Sequence, residues 1–156
     1  MAQTILAARE AAEREGCVTT VGRINVEPGG TNVIASAATM WLDCRAEESQ
    51  TVTKVVENIQ QASETAADKQ GCQVVWTRES WTDRTAFDLR ARMLQILGED
   101  IPQLSTGAGH DAATLATTMP TGMLFVRNPT GASHCPAESA SDADCEAGAE
   151  ALQTVL

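Results

Sequence analysis

The chain has 156 residues, a net charge of −10, 43% hydrophobic residues and 3% aromatic ones, with no tyrosine. That length suits one ordinary domain or two small pieces, and the negative charge argues against nucleic acid and anionic membranes, which reward basic surfaces. No apolar run approaches the roughly 18 residues of a membrane span, no basic-then-apolar leader opens the chain, and five scattered cysteines without a CxxC suit reduced thiols in a cytoplasmic protein.

Residues 2–15 read as a helix of strong helix formers, with Ile5, Leu6, Ala8 and Ala12 as its apolar stripe. Gly16 is its natural stop. Residues 17–26 read as a strand with Val18, Thr20, Gly22, Ile24 and Val26 on one face. Glu27-Pro28-Gly29-Gly30 is a turn, because proline fixes φ and glycine permits positive φ. A second strand is expected over residues 32–45, where Met40, Leu42 and Cys44 alternate with Trp41, Asp43 and Arg45. Alternation points Arg45 away from the Met40–Leu42 face. Ser49 or Thr51 caps a helix to about residue 69, with Val52, Val55, Val56, Ile59, Ala62 and Ala66 at helical spacing. Gly71 ends it, and residues 72–81 read as a third strand.

Residues 2–81 thus spell α-β-β-α-β, which resembles a ferredoxin-like layer without its first strand. The 4-1-3-2 strand order of that fold makes the absent strand a central one. The chain must then close the gap or borrow a strand.

After residue 84 the pattern changes. Residues 86–97 are helical, with Leu89, Met93 and Leu97 four apart and Gly98 as the stop. A small-residue loop, Ser105-Thr106-Gly107-Ala108-Gly109-His110-Asp111-Ala112, opens a short helix over residues 111–118. A buried strand is expected over residues 122–126, then a loop over 127–139. A last helix over 141–156 is capped by Ser141, with Asp142 and Asp144 favourable in its first turn. Both histidines of the protein, His110 and His134, fall in the two loops. Loops at element ends are where α/β proteins place chemistry.

Five segments together resemble one family. They are Thr20-Val21-Gly22-Arg23-Ile24, Pro28-Gly29-Gly30-Thr31-Asn32-Val33-Ile34, Leu42-Asp43-Cys44-Arg45, Gly107-Ala108-Gly109-His110-Asp111-Ala112 and Ser133-His134-Cys135-Pro136-Ala137-Glu138. Their order is that of the bimetallic amidohydrolases, in the branch of the N-carbamoyl-L-amino-acid hydrolases and allantoate amidohydrolases. Aminoacylases and dinuclear zinc carboxypeptidases are relatives. The resemblance covers nearly the whole chain.

The resemblance implies an α/β catalytic domain with two divalent metals, zinc or manganese, and an inserted ferredoxin-like domain that forms a homodimer. Residues 1–83 look like the inserted domain without its first strand. Residues 84–156 look like the C-terminal part of the catalytic domain. The His-x-Asp ligand motif, the acidic base and the other metal ligands have no counterpart, so no complete catalytic set is expected in this chain. By position, the resemblance makes His134 a metal ligand and Glu138 a residue that orients its loop. It makes Asn32 and Arg45 the clamp for a substrate carboxylate, and Gly109 and His110 the lining of the substrate pocket. Cys44 replaces an aliphatic residue of the family, and Ala35 and Arg127 stand where proline is common.

Each residue also has a plainer reading. His134 by itself is an ordinary loop histidine, and one His with one Glu falls short of the three or four ligands of a closed site. Cys135 beside it is at most an adventitious ligand; adjacent side chains make a poor Cys–His nucleophile. His110-Asp111 can cap a helix as well as line a pocket. Arg45 can be a surface charge paired with Asp43 or Glu47. Two functions compete. One is a partial hydrolase of linear amide C–N bonds in N-carbamoyl amino acids or ureido acids, expected to be inactive alone. The other is a dimerisation or interaction module derived from such an enzyme, invited by the unpaired sheet.

Overall fold

A computed structural model describes residues 1–156 as two compact units, Met1–Arg84 and Thr85–Leu156. The fold is mixed α/β, with a two-stranded antiparallel sheet and five helices. The first unit runs α1 (Ala2–Glu15), β1 (Val18–Glu27), β2 (Ala37–Arg45) and α2 (Ser49–Asp68).

Both helices of this unit are followed by a left-handed glycine, directly after α1 and three residues beyond the end of α2. Gly16 adopts φ 66°, and the Cys17 N–H donates to the Ala12 carbonyl at 3.1 Å. Gly71 adopts φ 63°, and the Cys72 N–H donates to the Ala67 carbonyl at 2.9 Å. In each case a left-handed residue without Cβ turns the chain back to satisfy a last-turn carbonyl.

The core of this unit is a helix–helix contact. On α1 the buried residues are Thr4, Ala8, Ala11 and Ala12, while Leu6 lies exposed. The expected stripe is therefore rotated, and its buried members are small, which lets α2 approach closely. Val55 and Ile59 of α2 are fully buried in return, at 0% exposure. Ser63, rather than Ala62, continues that face. Its hydroxyl donates to the Ile59 carbonyl at 2.6 Å, so the buried polar group is satisfied locally. Leu42 and Cys44 pack against this cluster from β2.

The hairpin departs from the expected strand faces at one residue. The ladder pairs Val21 with Leu42 and Arg23 with Trp41, leaving Gly22 as a bulge. An extra residue shifts the inward–outward phase. Thr19 and Val21 turn inward before it and Val26 after it, so Val18, Thr20 and Gly22 do not share a face with Val26. The second strand starts at Ala37 instead of residue 32. Residues 28–36 form a loop closed by the Ser36 N–H donating to the Glu27 carbonyl at 2.8 Å. Asn32 lies in that loop.

Residues 72–81 join no sheet, which corrects the expected third strand. The sheet stops at β2. The segment is still anchored: Trp76 packs on the helix core, and the Trp41 indole N–H donates to the Glu79 carboxylate at 3.1 Å. A ladder needs hydrogen bonds to a partner backbone about 4.8 Å away, and no backbone hydrogen bond joins residues 73–81 to another segment. The Trp76 indole N–H is buried without a partner.

The second unit holds α3 (Arg90–Leu97), α4 (Asp111–Leu115) and α5 (Asp142–Val155). α3 begins four residues later than its composition suggests. The Leu89 N–H donates to the Thr121 carbonyl at 3.2 Å, so it is not available to extend the helix backwards. Gly98 stops it. α4 is shorter than expected and continues as turns towards Met119. α5 matches its cap: Ser141 Oγ accepts from the Asp144 N–H at 3.1 Å and donates to the Asp144 carboxylate at 2.6 Å. Residues 122–126 form no strand, and Phe125 and Val126 are exposed. Such a run is apolar enough for a buried strand, but this unit offers no other strand to pair with. It packs instead against helices, with Gly122 against Met93 and Leu89, and Gly148 of α5 against Val126.

Candidate functional site

The candidate residues fall into two groups, one in each unit. In the first unit Arg45 ends β2 opposite Val18, while the loop carrying Asn32 lies beyond the Glu27–Ala37 end of the same hairpin. At about 3.3 Å per residue, the nine residues of β2 separate these ends by roughly 26 Å. The two residues are therefore not brought together within one chain. Arg45 points away from the core as alternation requires, and its Nε donates to the Asp43 carboxylate at 2.6 Å. Both partners are about half exposed, so the pair adds little stability. Glu47, the other expected partner, has Arg84 at 3.9 Å among its contacts.

In the second unit the small-residue loop presents His110. The Thr106 hydroxyl lies 3.0 Å from His110 Nε2, and the same hydroxyl accepts the Ala108 N–H at 3.1 Å. The imidazole meets the Phe125 ring edge-on, with centroids 6.2 Å apart. One threonine thus ties the loop backbone to the ring. His110 occupies the cap position of α4 without a capping hydrogen bond, and Asp111 lies in the first turn. The helix-cap reading of this pair is not what the geometry uses. Gly109 lies in the loop beside it.

His134 is held differently. Its backbone is left-handed, at φ 55°, the one non-glycine residue with positive φ. That conformation costs an L-residue roughly 1–2 kcal/mol. Glu138 stabilises it: the carboxylate accepts the His134 N–H at 2.7 Å. The Ser133 hydroxyl lies 3.1 Å from His134 Nδ1. Glu138 therefore acts on the backbone of the loop and not on the ring, and Ser133 faces the ring. Asn128 braces the far side, its amide donating to the Ala132 carbonyl at 2.7 Å. The result is an exposed imidazole on a strained, pinned loop, an arrangement that clusters at functional sites.

Three of these residues gain a role that the motifs do not assign, although Thr106 and Ser133 lie within the quoted segments. Thr106, Ser133 and Asn128 act through hydroxyl and amide geometry. Only the four-residue spacing of Thr106 from His110 hints at it in the sequence.

No cluster of three or more His, Cys, Asp and Glu residues comes together to hold a metal ion. His134 alone is one ligand of the three or four a zinc-type site needs. The residues of this chain therefore do not by themselves fit a divalent metal.

Comparison with known proteins accounts for the motif order. The family profile described as peptidase family M20/M25/M40 matches residues 6–156. An N-carbamoyl-L-amino acid amidohydrolase of Geobacillus stearothermophilus is 35% identical over 97% of this chain and 38% of its own length. The allantoate amidohydrolase of Escherichia coli is 26% identical over 94% of this chain and 38% of its own length. Among solved structures, AtUAH in complex with (S)-hydroxyglycine superposes with a TM-score of 0.85 at 25% identity, over 99% of this chain and 38% of that one. The chain thus spans about two fifths of the length of the relatives it matches. With the profile matched almost end to end, the chain belongs to peptidase family M20/M25/M40.

Proposed function

We propose that this chain carries the carboxylate clamp and one metal-ligand loop of a hydrolase of linear amide C–N bonds, with N-carbamoyl amino acids or ureido acids such as allantoate as substrates. Residues 1–83 serve as a dimer-forming domain of ferredoxin-like type without its first strand. Residues 84–156 serve as the C-terminal part of a metal-dependent catalytic domain in the cytoplasm. The observation that carries this reading is the pinned loop at His134, where backbone strain is maintained to present an imidazole. In this reading His134 contributes one ligand to zinc or manganese, the remaining ligands coming from outside this chain. Glu138 holds its loop, and Gly109 and His110 line the pocket.

Arg45 serves as the fork of donors for the substrate carboxylate, and Asn32 as an amide donor to it. The hairpin length supports a homodimer as the working form. Arg45 and the loop carrying Asn32 lie at opposite ends of β2, a strand roughly 26 Å long, so one small carboxylate meets both residues only if two copies each supply one. By itself the chain supplies a clamp without a complete metal site, and it is expected to be inactive alone.

The test is Arg45→Ala in an intact homologue carrying this segment. A charged hydrogen bond of roughly 1.5–3 kcal/mol corresponds to a fall in kcat/KM of about 10- to 150-fold for a carboxylate-bearing substrate. Undiminished kcat/KM removes the clamp assignment. A second reading, a non-catalytic interaction module, is favoured by the unladdered residues 72–81 and the unpartnered Trp76 indole N–H. Light scattering and metal analysis on the same dialysed sample separate the two. A metal-loaded dimer supports the hydrolase, and a metal-free dimer supports the module.

A further inference from the structure

Two half-buried thiols of the first unit meet although they lie far apart in sequence. Cys17 follows the glycine that ends α1, and Cys44 is the next-to-last residue of β2. The ladder sets Thr19 opposite Cys44 and Val18 opposite Arg45, which places Cys17 diagonally across from Cys44 on the same face. Both pack on the cluster of Ala8, Ala11, Val55 and Ile59. Both are free thiols. The Cys44 thiol is pushed up to about 11 by burial and by the neighbouring Cys17 thiol. Cys17 also lines an open groove along α1, with Ile5, Arg9 and Val18.

We propose that Cys17 and Cys44 form a reversible oxidation site that closes an intramolecular disulfide, with a low-molecular-weight disulfide such as glutathione disulfide as the oxidant. Cys17 Sγ, its proton passing to solvent and from there to the second departing thiolate, attacks one sulfur of the oxidant. The S–S bond of the oxidant breaks, and one thiol equivalent leaves. Cys44 then gives up its proton to the departing thiolate, and its sulfur attacks Cys17 Sγ. The mixed disulfide breaks and releases the second thiol equivalent. Two protein thiols are oxidised, and one external disulfide is reduced to two thiols. Cys17 leads because it borders the groove, while burial and the neighbouring Cys17 thiol disfavour the Cys44 thiolate that would be needed to attack first. The product staples the end of α1 to the end of β2 and encloses the hairpin in a covalent loop. The inference rests on the thiol geometry alone and stands whether or not Arg45 is a substrate clamp.

The test is a disulfide map of the full chain. The protein is incubated with glutathione disulfide, alkylated, cut with trypsin and weighed. The expected product joins residues 15–23 to residues 24–45 and is two hydrogens lighter than the reduced pair. In Cys44→Ser, glutathione is expected to stay trapped on Cys17. In Cys17→Ser, Cys44 is expected to remain unmodified while the exposed Cys72, Cys135 and Cys145 take up glutathione. A wild-type sample of native dichroism that carries glutathione on the exposed cysteines but yields no such cross-link overturns the proposal. That arm requires no variant to fold. Modification of Cys44 in Cys17→Ser as fast as of Cys72 overturns the order of the two steps.

Discussion

The two units spend their apolar residues differently. Met1–Arg84 buries Ala8, Ala11, Ala12, Val55 and Ile59 between two helices and a hairpin. Thr85–Leu156 buries only Thr121 to that degree, and leaves Leu104, Leu115, Met119, Phe125 and Val126 exposed. Yet the second unit holds both histidine loops. The first is organised by a core, and the second by hydrogen bonds of hydroxyls, amides and a carboxylate to loop backbone. Polar pinning can set a loop within a few residues of chain. Cohesion needs apolar surface removed from water.

The sharpest way to break that contrast is to empty the core. Ile59→Ala removes a fully buried side chain and is expected to cost about 2–5 kcal/mol in urea unfolding followed by helical dichroism. Leu124→Ala, half-buried in the second unit, is expected to cost clearly less. Equal costs would show that the second unit is as cohesive as the first.

Next in size are the backbone positions. Gly16→Ala forces a Cβ into φ 66° at the end of α1 and is expected to cost about 1 kcal/mol, read as a lower melting temperature. His134→Gly works in the opposite direction. It relieves φ 55° and is expected to leave stability unchanged or raise it by up to about 1 kcal/mol. A clear loss of stability would mean that the imidazole serves folding and not presentation. Glu138→Ala takes the acceptor from the His134 N–H and is expected to cost about 1 kcal/mol locally. The readout is faster amide exchange at His134, with the first unit unaffected.

The smallest expected effect is a pH dependence confined to the first unit. The folded state holds Cys44 protonated up to about 11, while the unfolded chain gives up that proton near the ordinary thiol value. Stability from this group is complete below the unfolded value and is lost as pH rises towards 11. Cys44→Ala should flatten that alkaline decline in denaturant titrations. At the acidic end, the Lys54 ammonium at 2.6 Å holds the Glu15 carboxyl below its usual range. Its contribution is present above the unfolded carboxylate value and is lost as pH falls through the folded one.

Much of the local structure was legible from residue order. Gly16, Gly71 and Ser141 mark helix ends as expected, because a cap is made within five residues of chain. The motif order at Asn32, Arg45, His110 and His134 pointed to the family. Counting Gly22 as an ordinary strand residue gives the wrong faces for β1, because the register shifts between Val21 and Arg23. A glycine bulge is recognisable only once the partner strand shows two residues opposed by one. Residues 72–81 and 122–126 carry good strand composition and still form no strand. Composition states what a segment can do, and a ladder depends on a neighbour.

The sequence by itself determined where the helices lie, the stops at Gly16 and Gly71, the cap at Ser141, the acidic charge and the family motifs, all of which depend on contacts along the chain or on residue identity alone; the expected cap of α2 at Ser49 or Thr51 is not formed, since Glu48 takes that position without a side-chain bond. Only the tertiary structure decided the bulge phase, the unpaired segments, the meeting of Cys17 with Cys44 and the separation of Asn32 from Arg45. Each depends on which distant backbone lies alongside. That is set by the collective packing of α1, α2 and the hairpin, where no single residue carries the information.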